Sequence, residues 1–373
     1  ATLVKKFGGS SVATPEKMHG IVDRILRERQ PDDRIVLVVS AMGDHTDDLL
    51  TLAAKVNPEM PKRELDMLLA TGEQVSIALM ASAFCAKGQP AVSFTGAQAG
   101  IKTNDKHSKA SILDVQACQV KQALDAAGLK ADMCDIYTDV DGVYTADPRI
   151  VPGAQKLDEI TFVEMLELAR LGAGVMQPRA VEYGEHNGVA IHVRSTFNDV
   201  PGTIIREEYT VQEKNFVIRG VAHDTNVAKI AVRGVSDEPG IAYKIFSALA
   251  EANIDVDMIV QSASATDHKN DILFTVTQTD MVEAMSVIES LKETMHFDKA
   301  DIEVNVAKVS IVGAGMLGSP GIAAGMFGAL AKANVNIDVI STSEISVSCL
   351  VPEKDVKTAV NAIHEHFFPE GAK

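Results

Sequence analysis

The stretch Lys6-Phe7-Gly8-Gly9-Ser10-Ser11 joins an apolar segment, Leu3 to Phe7, to an amphipathic segment that opens near Thr14 and Pro15. This pattern predicts a β-strand, a glycine turn and an α-helix in succession. Two adjacent glycines let backbone N–H groups approach an anion closely, and the N-terminal end of a helix adds positive potential. Lys6 supplies a full charge where the strand stops, so the stretch is typical of phosphate-binding architecture.

The order of the lysine and the glycines differs from that of a Walker A loop. The spacing Gly-x-x-x-x-Gly-Lys-Ser/Thr does not occur in the chain, so Lys6 has to reach phosphates from the strand side. Taken alone, the two glycines are equally consistent with a turn that is merely tight.

Composition narrows the class of protein. The chain has 373 residues, of which 46% are hydrophobic and 5% aromatic, with 26 glycines. This composition predicts two or three domains in a well-packed α/β protein. The net charge of −16 and the lack of any basic run argue against a nucleic-acid or anionic-membrane partner.

The cysteines and the apolar runs predict a cytoplasmic location. Cys85, Cys118, Cys134 and Cys349 form no C-x-x-C pair and no metal-ligand spacing, so we expect reduced core thiols and no zinc site. No apolar run approaches the length of a membrane span, and the N-terminus passes directly into a strand. We therefore expect no membrane partner.

Residues 1–206 alternate between short apolar strands and amphipathic helices. Strands are predicted at Ile35 to Ser40 and Ala91 to Phe94, and a helix at Arg63 to Ala86. Such layering predicts an open, mostly parallel sheet with helices on both faces, whose ligands bind at the carboxyl ends of strands. Three polar residues occupy such ends: Lys6, Ser40 and Thr138.

The sequence repeats itself after a polar linker at 207–216. The copy that begins at Lys229-Ile-Ala-Val-Arg-Gly, with Pro239-Gly240-Ile241-Ala242, is answered by Lys308-Val-Ser-Ile-Val-Gly, with Pro320-Gly321-Ile322-Ala323. We predict two α+β modules with antiparallel sheets, at 217–300 and 301–373. The second copy contains Gly313-Ala-Gly-Met-Leu-Gly318, a dinucleotide-type pattern. The first copy lacks this pattern, which argues against a nicotinamide site.

Four separated motifs, in order, carry a resemblance to a known family. They are Lys6 to Ser11, Val38-Val39-Ser40-Ala41-Met42, Thr71-Gly72-Glu73-Gln74, and Ile136 to Arg149. With them the chain closely resembles aspartate kinase over nearly its full length, and the C-terminal copies resemble ACT domains.

The resemblance implies ATP-dependent, Mg²⁺-assisted phosphorylation of L-aspartate to 4-phospho-L-aspartate, which opens lysine, threonine and methionine biosynthesis. It implies Lys6 as the catalytic residue, and Ser40, Thr46 and Glu73 as substrate-binding residues. The ATP-binding residues that it implies are Lys6, Phe7, Gly8, Gly9, Thr138, Asp139, Tyr144, Asp147 and Arg149. Capping of a helix is the alternative role for Ser40 and Thr46.

The paired ACT modules imply feedback regulation by lysine, threonine or both, and assembly into a homo- or hetero-oligomer. The effector-binding residues implied by the resemblance are Asp237, Gly240, Ile241, Ala242, Asp255, Asp257, Gln261, Ile322, Ala323, Asn336, Ile337, Ser343 and Glu344. Core packing is the alternative role for the three isoleucines.

Two departures from the family's pattern concern catalysis. The family's Gly-Arg-Gly-Gly-Ser-Asp loop and the strand before it have no counterpart, so a block is missing around Leu124 to Ala126. A family lysine is replaced by Gly174. Three hypotheses remain open: a feedback-regulated aspartate kinase, a catalytically degenerate amino-acid sensor, and a glutamate-type amino-acid kinase. The Thr71-Gly72-Glu73 motif and the ACT pair weigh against the third.

Overall fold

The computed structural model describes residues 2–30, 33–108, 110–116, 120, 133–208, 217–263, 269–316 and 319–369. These residues form two compact units. The first unit comprises 1–143, 156–162 and 179–209, and the second comprises 144–155, 163–178 and 210–373. The predicted domain limits at 206 and 217 remain predictions, but two internal segments cluster with the C-terminal modules rather than with the N-terminal sheet.

A six-stranded sheet forms the core of the first unit. Its strands are β1 (Thr2–Phe7), β2 (Arg34–Val39), β5 (Met133–Thr138), β6 (Glu159–Thr161), β7 (Ala190–Ser195) and β8 (Thr203–Arg206). The order is β2-β1-β5-β7-β8-β6, and β2, β1, β5 and β7 are mutually parallel. The prediction of a mostly parallel α/β sheet is confirmed. β8 runs antiparallel to β7 and parallel to β6, so β8 and β6 run opposite to the other four strands.

Helices cover this sheet. They are α1 (Pro15–Glu28), α2 (His45–Val56), α3 (Lys62–Ala86) and α5 (Pro178–Asn187), while most of α4 (Phe162–Arg170) belongs to the second unit. Thr14 caps α1, since its side-chain oxygen accepts from the Lys17 N–H at 3.4 Å and Pro15 occupies the first turn. Met18, Ile25 and Phe84 pack with the sheet in one buried cluster.

The strand predicted at Ala91 to Phe94 is absent, so that prediction was wrong. The segment has no regular structure, and Val92 is 62% exposed. Apolar side chains alone do not make a strand, because the backbone also needs a neighbour to pair with. Farther along the chain, β3 (Ile101–Thr103) and β4 (Ile112–Val115) form a separate two-stranded hairpin.

Two four-stranded antiparallel sheets form the second unit, as predicted for the repeated modules. The first module contains β10 (Val227–Ser236), β11 (Ile259–Ala263), β12 (Lys269–Thr277) and β13 (Lys299–Glu303), with α6 (Ile241–Glu251), α7 (Met281–Ser290) and α8 (Lys292–Met295). The second module contains β14 (Val306–Val312), β15 (Val339–Thr342) and β16 (Ser346–Pro352), with α9 (Ile322–Lys332) and α10 (Val356–Phe367).

The second module completes its sheet with a strand from before the first module. That strand, β9 (Gly220–Asp224), pairs antiparallel with β14, so the sheet order is β15-β16-β14-β9. The sequence prediction had placed these residues in the first module. Val221 is 3% exposed and belongs to the core cluster of the second module, so burial of its side chain favours this pairing.

The glycines of the dinucleotide-type pattern have a packing role. A Cβ atom at Gly313 would collide with the backbone of Val217 and Ile218, and one at Gly315 would lie 2.9 Å from the Val217 Cα. The preceding strand, β14, lies in an antiparallel sheet. Neither feature matches a dinucleotide fold.

Two further expectations need correction. Helix α3 is 25 residues long and apolar enough to cross a membrane on length and composition alone. However, Met80, Ala83 and Phe84 on this helix pack in the core of the first unit, as in a core helix of a globular unit. Cys85 is exposed rather than buried; Cys349 is buried, and burial raises its pKa to about 12. Cys118 lies outside the described residues.

Candidate functional site

The glycine turn after β1 is held by backbone hydrogen bonds from three neighbouring segments. The Gly8 N–H donates to the Tyr137 carbonyl at 3.4 Å, the Ser40 N–H donates to the Phe7 carbonyl at 3.1 Å, and the Gly43 N–H donates to the Gly9 carbonyl at 3.0 Å. A Cβ atom at Gly9 would lie 2.8 Å from the Ala41 carbonyl oxygen. Glycine is therefore required by close backbone approach, as well as being suited to an anion.

Lys6 and Lys5 face opposite sides of the sheet. The Lys6 Nζ would lie 3.9 Å from a Cβ atom at Gly8, so the ammonium group lies over the glycine turn. Lys5 is buried, with only 5% of its surface exposed. Its Nζ lies 2.5 Å from Asp135 Oδ2 and 3.2 Å from the Tyr137 hydroxyl. The alternation along β1 leaves Lys6 as the lysine on the side of the turn.

The Lys5–Asp135 pair changes the ionisation of both groups. Burial raises the pKa of Asp135, but hydrogen bonds from His192 and Lys5 outweigh it, and the net pKa is lowered. Burial lowers the pKa of Lys5, yet the hydrogen bond to Asp135 and the nearby negative charge raise it overall. The pair is charged at neutral pH and serves structure on the face of the sheet away from the glycine turn.

The predicted substrate residues lie on the elements that follow β2. Ser40 is half-buried directly after the strand, and Thr46 is exposed in the first turn of α2 rather than in a loop. Glu73 is exposed on α3, next to the buried Gly72. A Cβ atom at Gly72 would lie 2.9 Å from the Ala41 Cβ, so the backbone of α3 approaches the loop after β2 closely. Ser40, the glycine turn and the Glu73 region thus lie around one edge of the sheet.

The end of β5 adjoins the glycine turn. Phe7 and Tyr137 stack with ring centroids 4.6 Å apart, and the register pairs these two residues. Thr138 is half-buried, and its hydroxyl donates to the exposed Asp139 carboxylate at 3.0 Å. The carboxyl ends of β1, β2 and β5 therefore meet, as expected of a parallel sheet.

The remaining predicted nucleotide residues belong to the second unit. Arg149 clamps Asp147, with its Nε 3.0 Å from Oδ1 and its Nη2 2.8 Å from Oδ2. The hydrogen bond from Arg149 is the main cause of the lowered pKa of Asp147. Tyr144 is half-buried at the start of this segment. The predicted nucleotide-binding stretch is thus split, with Thr138 and Asp139 in the first unit.

Within the second unit this segment is anchored on the second module. The Thr145 hydroxyl lies 2.8 Å from His364 Nε2 on α10, and both groups are buried. The Asn361 amide donates to the Ile150 carbonyl at 3.1 Å. Burial lowers the pKa of His364, so the imidazole is neutral at pH 7. The sequence analysis missed His364 because it lies about 220 residues from its partner, and no local pattern marks it.

The helices that open the two modules begin in the same way. Gly240 has φ 96° and Gly321 has φ 95°, and each precedes the first turn of its helix. In both, a left-handed glycine lets the chain turn sharply into the helix. Asp237 accepts from the Asn270 side chain at 2.9 Å and is otherwise exposed.

Ion pairs cross between the modules in a reciprocal pattern. Lys229 of the first module pairs with Asp338, and Lys308 of the second pairs with Asp257. Lys229 also lies 2.5 Å from Glu303. Asp257, predicted as an effector ligand, is therefore engaged with Lys308. The signal for these pairs was present in the sequence, since both copies of the repeat begin with the same lysine and carry an aspartate at corresponding positions.

The other predicted effector residues divide between exposed and packed positions. Ile241 belongs to the core cluster of the first module, and Ile322, Ala323 and Ile337 pack against that of the second, which confirms a packing role for the isoleucines. The exposed members are Ala242, Asp255, Gln261, Asn336, Ser343 and Glu344. Two side-chain hydrogen bonds stabilise the loop after β15. The Ser343 and Ser346 hydroxyls lie 2.8 Å apart, and the Ser346 hydroxyl donates to the Glu167 carboxylate at 2.7 Å.

The groups around the glycine turn suit a nucleotide better than a metal ion bound by protein side chains. Among the described residues, no group of three or more His, Cys, Asp or Glu side chains could hold a metal ion. The glycine turn with Lys6 fits a phosphate, and Mg²⁺ would then be bound mainly by phosphate oxygens and water. The predicted break near Leu124 to Ala126 falls outside the described residues. Gly174 has open space where a side chain would project.

Comparison with known families accounts for both units. The amino acid kinase family matches residues 1–127 and 122–195, and the ACT domain matches residues 230–291 and 309–367. The first family is thus matched in two pieces that meet at residues 122–127.

Curated relatives extend the match along the whole chain. The aspartokinase of Mycolicibacterium smegmatis is 43% identical over 404 aligned positions, covering 98% of this chain and 96% of the relative. Aspartokinase 2 of Bacillus subtilis is 42% identical, covering 98% of this chain and 97% of the relative. The 404 aligned positions exceed the 373 residues of this chain by 31. At least 31 positions of the M. smegmatis protein therefore have no counterpart here.

Solved structures share the fold. E. coli aspartokinase III in complex with aspartate and ADP has a TM-score of 0.86 at 22% identity, covering 99% of this chain and all of that chain. Clostridium acetobutylicum aspartate kinase has a TM-score of 0.71 at 23% identity, with coverage of 98% and 100%. Together with the sequence relatives, these findings show that the chain belongs to the aspartokinase family of kinases, with an amino acid kinase domain and two ACT domains.

Proposed function

We propose that the protein transfers the γ-phosphoryl group of Mg²⁺-bound ATP to the side-chain carboxylate of L-aspartate. In this reaction a carboxylate oxygen attacks the γ-phosphorus, the bond to the bridging oxygen of ADP breaks, and an acyl phosphate forms. Two anions must approach each other, so the site has to neutralise phosphate charge and hold the acceptor in line. The observation that carries the proposal is Lys6 over the Gly8–Gly9 turn, where β1, β2 and β5 end together.

The proposed roles follow from these positions. Lys6 and the N–H groups of the glycine turn bind phosphate oxygens, Ser40 and Thr46 bind the acceptor, and Glu73 binds its α-ammonium group. A carboxylate at Glu73 attracts an acceptor that carries an ammonium group, and this pairing strengthens when the bound substrate shields the exposed side chain from water. Thr138, Asp139, Tyr144, Asp147 and Arg149 remain the proposed contacts to the nucleotide.

The test is nucleotide binding and turnover by the Lys6→Ala variant. Loss of one charge-assisted contact to phosphate costs about 3 kcal/mol, so we expect affinity for Mg²⁺·ATP to fall by about two orders of magnitude in calorimetry. Aspartate-dependent release of ADP should fall at least as far. Lys62→Ala is the matched control, because Lys62 is an exposed lysine at the start of α3. Equal binding by both variants would refute the role of Lys6.

Regulation by amino acids at the ACT pair is the second part of the proposal. Lysine, threonine or both would bind with the carboxylate at the helix starts after Gly240 and Gly321, and with the ammonium group at Asp237. Engagement of Asp257 with Lys308 favours Asp237 over Asp257 for this role. Titrating each amino acid separately and then both together should raise the melting temperature as linkage requires. Asp237→Asn should reduce the rise, while Glu289→Gln, at an exposed residue of α7 outside the predicted effector set, should leave it unchanged.

The shortfall of at least 31 positions favours one alternative, an amino-acid sensor without turnover. The two functions predict different combinations of results. A kinase binds Mg²⁺·ATP and releases ADP when aspartate is added, whereas a sensor gains thermal stability with lysine or threonine and releases no ADP. We propose a cytoplasmic protein in either case, assembled through its ACT modules.

A further inference from the structure

The outer edge of β2 is open for hydrogen bonding. The Ser40 N–H points to β1, since it donates to Phe7. Backbone groups alternate in direction along a strand, so those of Ile35, Leu37 and Val39 point away from β1. Among the described residues, none pairs with this edge. A row of free N–H and C=O groups on a strand edge is a template for another strand.

An apolar groove lies beside this edge. Its cavity has a volume of about 750 Å³ and is enclosed by β2, by α1 and α3, and by the irregular segment at 89–99. The wall includes Leu37, Val38, Ile77, Phe84 and Val92. Val38 is 49% exposed and Val92 is 62% exposed, although strands of a parallel sheet are normally covered on both faces.

The comparisons indicate what the groove lacks. At least 31 positions of the M. smegmatis relative have no counterpart in this chain, and the two pieces of the kinase-family match meet at 122–127. Val120, a few residues before that junction, lines the groove. The junction of the two matched pieces therefore follows a groove residue, Val120, within a few residues along the chain.

We propose that this groove binds a β-strand supplied by a second polypeptide, and that the strand it fits is the block that the relatives carry and this chain lacks. The added strand pairs with the backbone groups of Ile35, Leu37 and Val39 and places apolar side chains into the groove. The six residues of β2 offer about 20 Å of edge. The inference rests on the fold and on the comparison with relatives, and it does not require the proposed catalytic activity.

Binding of a synthetic peptide tests the proposal directly. The peptide contains the M. smegmatis aspartokinase residues that have no counterpart here, carries a fluorescent label, and is titrated against the full chain by anisotropy. We expect saturable one-to-one binding with a Kd below about 100 μM. Hydrogen exchange should slow at the amides of Ile35, Leu37 and Val39 when the peptide is present.

Val38→Lys is the blocking variant. It puts a charge on the wall of the groove at a side chain that is already half exposed, so the fold should survive, as circular dichroism can verify. We expect it to weaken peptide binding at least tenfold. Val56→Lys is the matched control, since Val56 is 79% exposed on α2 and lies outside the groove, and it should bind as the parent does.

Three results would overturn the proposal. The first is no binding up to about 1 mM peptide. The second is binding that Val38→Lys leaves intact, with no slowing of exchange along β2. The third is self-association of the chain, seen by sedimentation and abolished by Val38→Lys, which would assign the edge to a second copy instead. The Lys6→Ala comparison is read independently, so failure here leaves the phosphate site untouched.

Discussion

The outer strands of the sheets in the two units differ in how they are covered. β9 precedes the first module in the sequence but pairs in the sheet of the second module, where Val221 is 3% exposed. The sheet of the first unit ends at β2, where Val38 is 49% exposed. One outer strand, β9, is therefore buried in the core of its module, whereas no described residue pairs with the outer backbone edge of β2.

The difference also separates two kinds of binding machinery. The glycine turn is recognisable in local sequence, because one strand, two glycines and one lysine mark it, although backbone hydrogen bonds with Ser40, Gly43 and Tyr137 hold it. The effector region depends on pairing between modules, since Lys229 and Lys308 reach across to Asp338 and Asp257. Loss of a strand at β2 can leave the local turn intact, whereas loss of β9 would disturb a whole module.

The largest expected effect tests the two strands with the same substitution. Val221→Asp places an unpaired carboxylate in the core of the second module and should lower its free energy of unfolding by about 4 kcal/mol. Val38→Asp changes a half-exposed side chain and should cost about 1 kcal/mol or less. Hydrogen exchange measured by mass spectrometry reports the stability of each unit separately.

The comparison fails if the two substitutions cost the same. Equal losses would mean that the edge of β2 is covered in solution, or that β9 adds little to the second module. Val221→Ala serves as the milder control, since it removes apolar volume without adding charge and should cost about 2 kcal/mol.

The next effect compares ion pairs of the two units. Lys5–Asp135 has side chains 6% and 10% exposed, whereas Lys269–Asp298 has side chains 47% and 58% exposed. Asp135→Asn leaves Lys5 buried without its counter-charge and should cost about 3 kcal/mol. Asp298→Asn should cost less than about 1 kcal/mol, since exposed pairs contribute little. Urea unfolding of both variants measures the difference.

Acid should weaken the Lys5–Asp135 ion pair. The pKa of Asp135 is lowered on folding, so its contribution to stability is complete above the pKa of the unfolded carboxyl, about 3.9, and is lost as the pH falls through the folded value. We expect the first unit to lose stability below about pH 4, with a smaller loss in Asp135→Asn. If the first unit of the parent chain keeps its stability below about pH 4, this assignment is contradicted.

Much of the fold could be predicted from the sequence, because local patterns determine it. The strand, turn and helix around Lys6, the parallel sheet and the two repeated modules all follow from periodicity and glycines. The strand at Ala91 to Phe94 failed because a strand needs a neighbour, and none is assigned beside β2 among the described residues. The pairing of β9 with the second module rather than the first depends on residues that are far apart in the sequence, so no local pattern encodes it.

The candidate site shows the same division. Alternation along β1 puts Lys6 and Lys5 on opposite faces of the sheet, yet only the structure shows that Lys5 is buried against Asp135. The repeat could have indicated the cross-module pairs, because Lys229 and Lys308 occupy matching positions in the two copies. Asp257 was taken for an effector ligand because sequence cannot show that a charge is already paired. The role of His364 could not be predicted either, because His364 and Thr145 are far apart in the sequence.

The smallest predicted effect tests how the second unit holds the Thr145 segment. His364→Gln weakens the buried contact to the Thr145 hydroxyl, 2.8 Å from His364 Nε2, and should cost about 1 kcal/mol. The matched control is His366→Gln on the same helix, because His366 is exposed and its replacement should cost less than about 0.5 kcal/mol.

The dependence on pH distinguishes this contact from ordinary packing. Burial lowers the pKa of His364, so between the folded value and about 6.5 the unfolded chain binds a proton that the folded chain does not. The contribution of His364 is therefore complete above about pH 6.5 and declines as the pH falls through that value towards the folded pKa. In His364→Gln this decline should disappear, while His366→Gln should retain it. The measurement is hydrogen exchange in the second unit between about pH 5 and about pH 8, corrected for the intrinsic exchange rates. An unchanged pH profile in His364→Gln would mean that Thr145 is held by its backbone and side-chain hydrogen bonds with Gln155 and Val221 alone, and that the imidazole does no more than fill space beside Phe368.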